Sequence, residues 1–136
     1  MKDFLKAGII LLFVALIGGC RGDQQNKLIG NWEQIPFTKP DTVKIFWQFY
    51  AGDALIKYTV VNDKKLDSIH YSYNIDGSTF DIFKGTDNPE YLPSAGDPRG
   101  QYWVDKLSDS NFKITKRKHP DGSTDAVYLR IEMVKR

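Results

Sequence analysis

The stretch Ser68–Lys84, SIHYSYNIDGSTFDIFK, decides the fold. Its first half alternates strictly between polar residues and the apolar residues Ile69, Tyr71, Tyr73 and Ile75. Such alternation predicts a half-buried β-strand. Asp76-Gly77 follows, a dipeptide that suits the positive φ angles of a two-residue hairpin turn. The stretch therefore predicts an antiparallel hairpin whose buried face is largely aromatic.

Turn signals recur through the rest of the chain at spacings of roughly eight to twelve residues, a pattern typical of β-sandwiches and β-barrels. No window longer than two turns keeps a helical apolar period, so little or no helix is expected after Cys20. The predicted strands are Lys27–Ile35, Asp41–Tyr50, Ala54–Val61, Ser68–Ile75, Ser78–Lys84, Gln101–Leu107, Asn111–Lys118 and Ala126–Lys135.

Consecutive strands without long crossovers favour an up-and-down meander, and closure of the sheet removes its exposed edges. The predicted fold class is all-β, an eight-stranded antiparallel up-and-down barrel. One connection, Gly85–Gly100, spans 16 residues and carries three prolines. Loops of this length are usually functional or mobile.

The N-terminus has the three parts of a secretory signal peptide. Two lysines precede the apolar run Ala7–Ile17, and two glycines separate that run from Cys20. The run is too short to span a bilayer, which needs roughly 20 apolar residues. The alternative, a short helix buried in the fold, is disfavoured because a polar stretch follows at once.

Ile17-Gly18-Gly19-Cys20 resembles the lipobox of bacterial lipoproteins, with Ile in place of the usual Leu. The resemblance implies cleavage of a signal peptide, residues 1–19, and lipidation of Cys20 with diacylglycerol and an N-acyl chain such as palmitate. A lone cysteine also has no disulfide partner. Residues 20–26 are then a flexible lipidated tether, and residues 27–136 form the barrel domain. In enteric lipoproteins, an Asp directly after the cysteine retains the protein at the inner membrane. Arg21 stands there in this chain, so the resemblance favours the outer membrane of the cell envelope. The domain then faces either the periplasm or the outside.

Leu28-Ile29-Gly30-Asn31-Trp32 resembles the Gly-x-Trp signature of lipocalins and lipocalin-like proteins. The layout is similar to that of short lipocalin-like lipoproteins of Bacteroides and its relatives. The resemblance implies that Trp32 closes one end of the barrel and that a basic residue of the last strand packs across it. Arg130 is the matching candidate. The chain lacks the C-terminal helix and the disulfide of typical lipocalins.

The predicted interior is rich in large aromatic side chains, which either fill the barrel or line a pocket for one small ligand. The candidate ligand-binding residues are Trp47, Tyr58, Tyr71 and Tyr73, with Tyr91 and Leu92 of the long loop as a lid. The expected function is binding of a small, largely apolar ligand by a membrane-anchored lipoprotein. The alternative is a protein- or glycan-interaction module with a filled core. It would present the long loop and the outward aromatics Phe46, Tyr50, Phe83, Tyr91 and Trp103.

Other function classes find little support in the sequence. The net charge of +2 is interspersed and gives no nucleic-acid footprint. No nucleophile motif or phosphate-binding loop is present, so neither an enzyme nor a cofactor is expected. His70 and His119 lack metal-ligand spacing and are predicted at the surface. The acidic residues Asp81, Asp87, Glu90 and Asp97 lack calcium-loop spacing and are interpreted as solvated charges.

Overall fold

A computed structural model of the chain describes residues 22–36, 42–85, 90–91, 96–125 and 129–136. The predicted signal peptide, Cys20 and Leu92 lie outside the described residues. Within the described part of the chain, no helix is long and apolar enough to cross a membrane.

One short helix, α1 (22–28), precedes eight strands. The strands are β1 (Gly30–Gln34), β2 (Val43–Tyr50), β3 (Ala54–Val61), β4 (Lys64–Asp76), β5 (Thr79–Lys84), β6 (Gly100–Leu107), β7 (Asn111–Lys118) and β8 (Arg130–Lys135). Each strand pairs antiparallel with its neighbours in sequence, and β1 pairs with β8 to close the barrel. The predicted eight-stranded up-and-down barrel is confirmed.

The barrel has two different ends. At the helix end lie α1 and the short turns 51–53, 77–78 and 108–110. At the loop end lie the connections 35–42, 62–63, 85–99 and 119–129, three of which are longer than any turn at the helix end. The predicted long loop therefore borders the loop end.

The helix end is closed by α1, which corrects the expectation of a flexible tether across these residues. Leu28 is fully buried. Gln24 exchanges two hydrogen bonds with the backbone of Gly77, at 2.9 and 3.0 Å, and the Gln25 amide donates to the Asp53 carboxylate at 2.9 Å. The polar stretch is thus tied to two hairpin turns, because its glutamines satisfy polar groups of those turns.

Aromatic side chains fill the barrel between the helix end and its middle. Phe49, Phe80 and Phe112 lie with ring centroids 5.3–6.1 Å apart and mostly edge to face, an arrangement favoured by the ring quadrupoles. Trp32 and Tyr73 extend this cluster, and all five side chains are at most 1% exposed. The predicted filling of the interior by aromatics therefore holds for this half of the barrel.

The inward phase of β3 differs from the prediction. Leu55 is fully buried and Lys57 also points inward, whereas Tyr58, a predicted interior residue, takes the outer phase with Ile56 and Val60. Tyr58 stacks on the outward Phe46 at 5.2 Å and bonds Asn31 on the outer face of β1. Both faces of β3 carry apolar residues, so its alternation alone does not give the phase. The cross-strand register places Leu55 opposite the inward Phe49 and Tyr71.

Candidate functional site

The basic residue that covers Trp32 is Lys135, and the assignment of this role to Arg130 is wrong. Arg130 is exposed at the start of β8. The Lys135 ammonium lies 5.3 Å from the Trp32 ring centroid and donates to the Lys27 carbonyl at 2.9 Å. The Trp32 indole donates to the Leu28 carbonyl at 2.7 Å. Both side chains therefore fasten the end of α1 to the barrel.

Gly30 makes this close approach possible. Its φ is +136°, and a Cβ atom there would lie 2.7 Å from Cε of Lys135. A larger residue would be strained in the backbone and would push the lysine from the Trp32 ring. Gly30, Trp32 and Lys135 thus form one structural unit at the helix end.

A cavity of about 490 Å³ opens at the loop end. Residues from six strands line it, which places it inside the barrel wall. The lining includes Gln34, Ile45, Trp47, Lys57, Tyr102, Lys116 and Ile131, together with residues 96–98, His119, Asp125 and Leu129. Trp47 and Tyr102 are no more than 1% exposed and separate the cavity from the aromatic filling below. The barrel is therefore half filled and half hollow.

Two lysines point into this cavity from opposite parts of the wall. Lys57 donates to the Gly96 carbonyl at 3.1 Å, and Lys116, only 5% exposed, donates to the Asp97 carbonyl at 3.3 Å. Burial lowers the pKa of Lys57, with the Asp97 carboxylate opposing this effect and the Lys116 charge adding to it. Burial likewise lowers the pKa of Lys116, against the raising effect of Asp125 and Asp97. The interior of the loop end is thus cationic.

The Asp97 carboxylate, which acts on both lysines, is already held by a guanidinium group. Arg99 is 5% exposed, and its Nε donates to both Asp97 oxygens at 2.9 and 3.0 Å while its Nη2 contacts the second oxygen. This geometry neutralises Asp97 in a fork-like pair. The interpretation of Asp97 as a solvated loop charge is wrong, because residues 96–98 line the cavity and the Asp97 side chain is only 10% exposed.

A polar chain joins the two long connections of the loop end. The Tyr91 hydroxyl contacts Nδ1 of His119, and Nε2 of His119 lies 2.7 Å from the Asp125 carboxylate. His119 is 9% exposed, which corrects its predicted surface position. Burial, followed by the nearby carboxylates, raises the pKa of Tyr91. These contacts fix residues of the 85–99 and 119–129 connections relative to each other.

The five candidate ligand-binding residues that the structure describes fall in different places. Trp47 lines the cavity, and its indole donates to the Gln34 side chain at 2.9 Å. Tyr71 is buried beside the Asp97–Arg99 pair, and burial raises its pKa to about 12. Tyr73 belongs to the filled half, where it donates to the Tyr50 carbonyl. Tyr58 is outside the barrel, and Tyr91 contacts His119 at the edge of this cavity while lining the neighbouring one.

The cavity also contains residues that were not candidates from the sequence, chiefly Lys57, Lys116 and Tyr102. A signal for Lys116 exists, since it continues the inward phase of Phe112 and Ile114 along β7. The sequence around Lys57 gives no comparable pattern, because the inward face of β3 is set by its pairing with β2 and β4.

Three of the predicted outward aromatics are well exposed. Tyr50, Phe83 and Trp103 are 40–48% exposed and lie on β2, β5 and β6. Arg117 covers one ring of this set, with its guanidinium 4.4 Å from the Trp103 centroid. A second cavity, of about 590 Å³, lies beside the ends of β5, β6 and β7 and shares His119 with the first.

No group of three or more potential metal ligands occurs among the residues that the structure describes. Comparison of the chain with family models, with curated proteins and with solved structures gives no match.

Proposed function

We propose that this protein is a membrane-anchored lipoprotein of the cell envelope whose lipocalin-like barrel binds a small, largely apolar ligand in the cavity at its loop end. The observation that carries the proposal is the cavity itself. Its volume of about 490 Å³ falls within the range of small-molecule sites, roughly 300–1,000 Å³.

The lining of the cavity suits such a ligand. Trp47, Ile45, Ile131 and Leu129 supply apolar surface, and Lys57, Lys116 and Gln34 supply polar groups at separate positions of the wall. Apolar walls with a few placed polar groups are typical of ligand pockets. The filled half beneath provides a rigid floor, because interlocked aromatic rings cannot collapse into the space above.

Anchoring at Cys20 is the second part of the proposal, and it is supported by the lipobox resemblance. Acyl chains on one cysteine supply the affinity that stable membrane attachment needs. We expect Cys20→Ala to abolish incorporation of labelled palmitate and to release the protein from membranes. Labelled acyl chains on the Cys20→Ala variant would contradict this assignment.

The cavity is tested with the neutral dye N-phenyl-1-naphthylamine, whose fluorescence rises in apolar sites. The dye is titrated into full-length protein in vesicles of neutral lipid, with protein-free vesicles as the blank. Ile45→Trp fills the cavity from a half-buried lining position, whereas Phe46→Trp changes the adjacent outward residue.

We expect saturable binding that Ile45→Trp weakens about tenfold or more, a loss of at least about 1.4 kcal/mol, and that Phe46→Trp leaves unchanged. Absence of saturable binding, or equal loss in both variants, would sink the ligand-binding proposal. The interaction-module alternative would then take its place.

A further inference from the structure

The two inward lysines are the least expected feature of the cavity. A buried ammonium group loses its hydration and is retained at a cost unless it is paired. Each ammonium has three N–H donors, yet among the residues that the structure describes Lys57 and Lys116 each donate to a single backbone carbonyl. Their remaining contacts are with aromatic rings, at 5.6 Å from Trp47 for Lys57 and 5.6–5.8 Å from Tyr102 and Tyr91 for Lys116.

Neither lysine forms an ion pair with a described residue. Asp97 is engaged on both oxygens by Arg99. Asp125 is 46% exposed in its side chain and is held by His119 at 2.7 Å. Among the described residues at this cavity, Lys57, Lys116 and Arg99 supply three cationic groups, and Asp97 and Asp125 supply two carboxylates. The described residues thus leave positive charge without a matching anion.

The two lysines also repel each other, since each lies on the inner wall of one small cavity. A packed core would place apolar residues at both positions, as at Leu55 and Ile114 two residues earlier on the same faces. A bound anion would remove the repulsion and accept the unused donors. It would also do so at low dielectric, where charge-assisted hydrogen bonds are strong.

We propose that the ligand carries one anionic group, a carboxylate or a sulfonate, on its apolar body, and that Lys57 and Lys116 bind this group inside the barrel. The inference rests on the proposed ligand-binding function and specifies its chemical class. The apolar body packs against the apolar lining residues Trp47, Ile45 and Ile131.

Two dyes with the same ring system test the inference in the full-length protein in neutral vesicles. 1-Anilinonaphthalene-8-sulfonate is anionic, whereas N-phenyl-1-naphthylamine lacks the sulfonate and is neutral. We expect the anionic dye to bind at least about tenfold more tightly than the neutral dye, since one charge-assisted hydrogen bond contributes roughly this factor. Lys57→Met and Lys116→Met remove the ammonium group and keep an unbranched side chain that is one heavy atom shorter. Each should reduce this preference severalfold without weakening binding of the neutral dye.

Lys113→Met is the matched control, because Lys113 lies on the same strand with its side chain outside, 3.7 Å from Glu132. It should leave both affinities unchanged. Thermal unfolding verifies that each variant folds, and Lys116→Gln replaces Lys116→Met if that variant does not.

Equal binding of the two dyes by the native protein would overturn the anion proposal and leave the proposed function standing. A preference for the sulfonate that survives both lysine substitutions would also overturn it, because the anion would then bind elsewhere. Failure of both dyes to bind would overturn both proposals together.

Discussion

The two ends of the barrel satisfy their polar groups in opposite ways. At the helix end, the Trp32 indole and the Lys135 ammonium each donate to a carbonyl of α1. The surrounding aromatic rings are buried and pack edge to face. At the loop end, Lys57 and Lys116 each donate to one carbonyl of a described residue and face a cavity. The same wall of eight strands thus supports a packed end and an open, charged end.

The difference shows where stability and function separate in a small barrel. Dense apolar packing contributes most of the free energy of folding, whereas buried polar groups without full partners reduce it. Confining the costly groups to one end lets the other end hold the fold. The predictions below test this division, from the largest expected effect to the smallest.

Ile114 and Ile131 are direct cross-strand partners on β7 and β8, but only Ile131 lines the cavity. We expect Ile114→Ala to lower the free energy of unfolding by about 4 kcal/mol and Ile131→Ala by about 2 kcal/mol. Truncation inside packed surroundings leaves a new void, while truncation beside an existing cavity leaves a smaller penalty. Urea unfolding followed by tryptophan fluorescence measures both values. Equal losses would show that Ile131 is packed as densely as Ile114 and that the cavity does not reach it.

The two buried tryptophans allow the same substitution at both ends. Trp32→Phe leaves the buried Leu28 carbonyl without its donor and should cost about 1–3 kcal/mol. Trp47→Phe frees the Gln34 side chain at the cavity, where solvent can replace the bond, and should cost about 0.5–1.5 kcal/mol. Urea midpoints of the two variants check the order. A larger loss for Trp47→Phe would reverse the assignment of the stable end.

The smallest effect concerns pH. Burial lowers the pKa of Lys116 in the native protein below its ordinary value of 10.5. At pH values between the lowered native pKa and 10.5, the unfolded chain binds more protons than the native chain. Stability therefore rises with pH across that window. Above about pH 10 the trend reverses, because burial raises the pKa of Tyr71 to about 12 and the unfolded tyrosine ionises first.

Lys116→Met should be neutral or stabilising by up to about 1 kcal/mol at pH 7, since it removes an incompletely paired buried charge. It should also flatten the rise with pH, and it relieves the effect of Lys116 on Lys57. Unfolding at a series of pH values measures the slope. An unchanged slope in the variant would show that the Lys116 charge does not oppose folding.

Much of the fold could be predicted from local sequence. Alternation in Ser68–Ile75 and the Asp76-Gly77 turn specify a hairpin that the structure confirms, with β4 pairing to β5 across that turn. The predicted strands Ala54–Val61 and Asn111–Lys118 coincide with β3 and β7. These features depend on period-two patterning and turn chemistry, which act over a few residues.

The candidate site could be predicted only in part. Trp47 follows from a one-sided apolar pattern on β2 and does line the cavity. Tyr58 was misplaced because both faces of β3 are apolar, and a register shift occurs between Tyr58 and Val60. Arg130 and Lys135 are both basic residues of β8, and only the pairing of Trp32 with Lys135 distinguishes them.

The sequence by itself determined the strands, their turns and the choice of a closed meander, since these depend on local propensity and on the need to remove sheet edges. Tertiary structure alone decided that Lys57 and Lys116 share one cavity, that Arg99 forms a buried ion pair with Asp97, and that α1 docks on Trp32. Lys57 and Lys116 lie far apart in the chain, so they meet only when barrel closure sets the register of every strand. The Asp97–Arg99 and Leu28–Trp32 contacts join residues close in the chain, but their burial depends on the closed barrel.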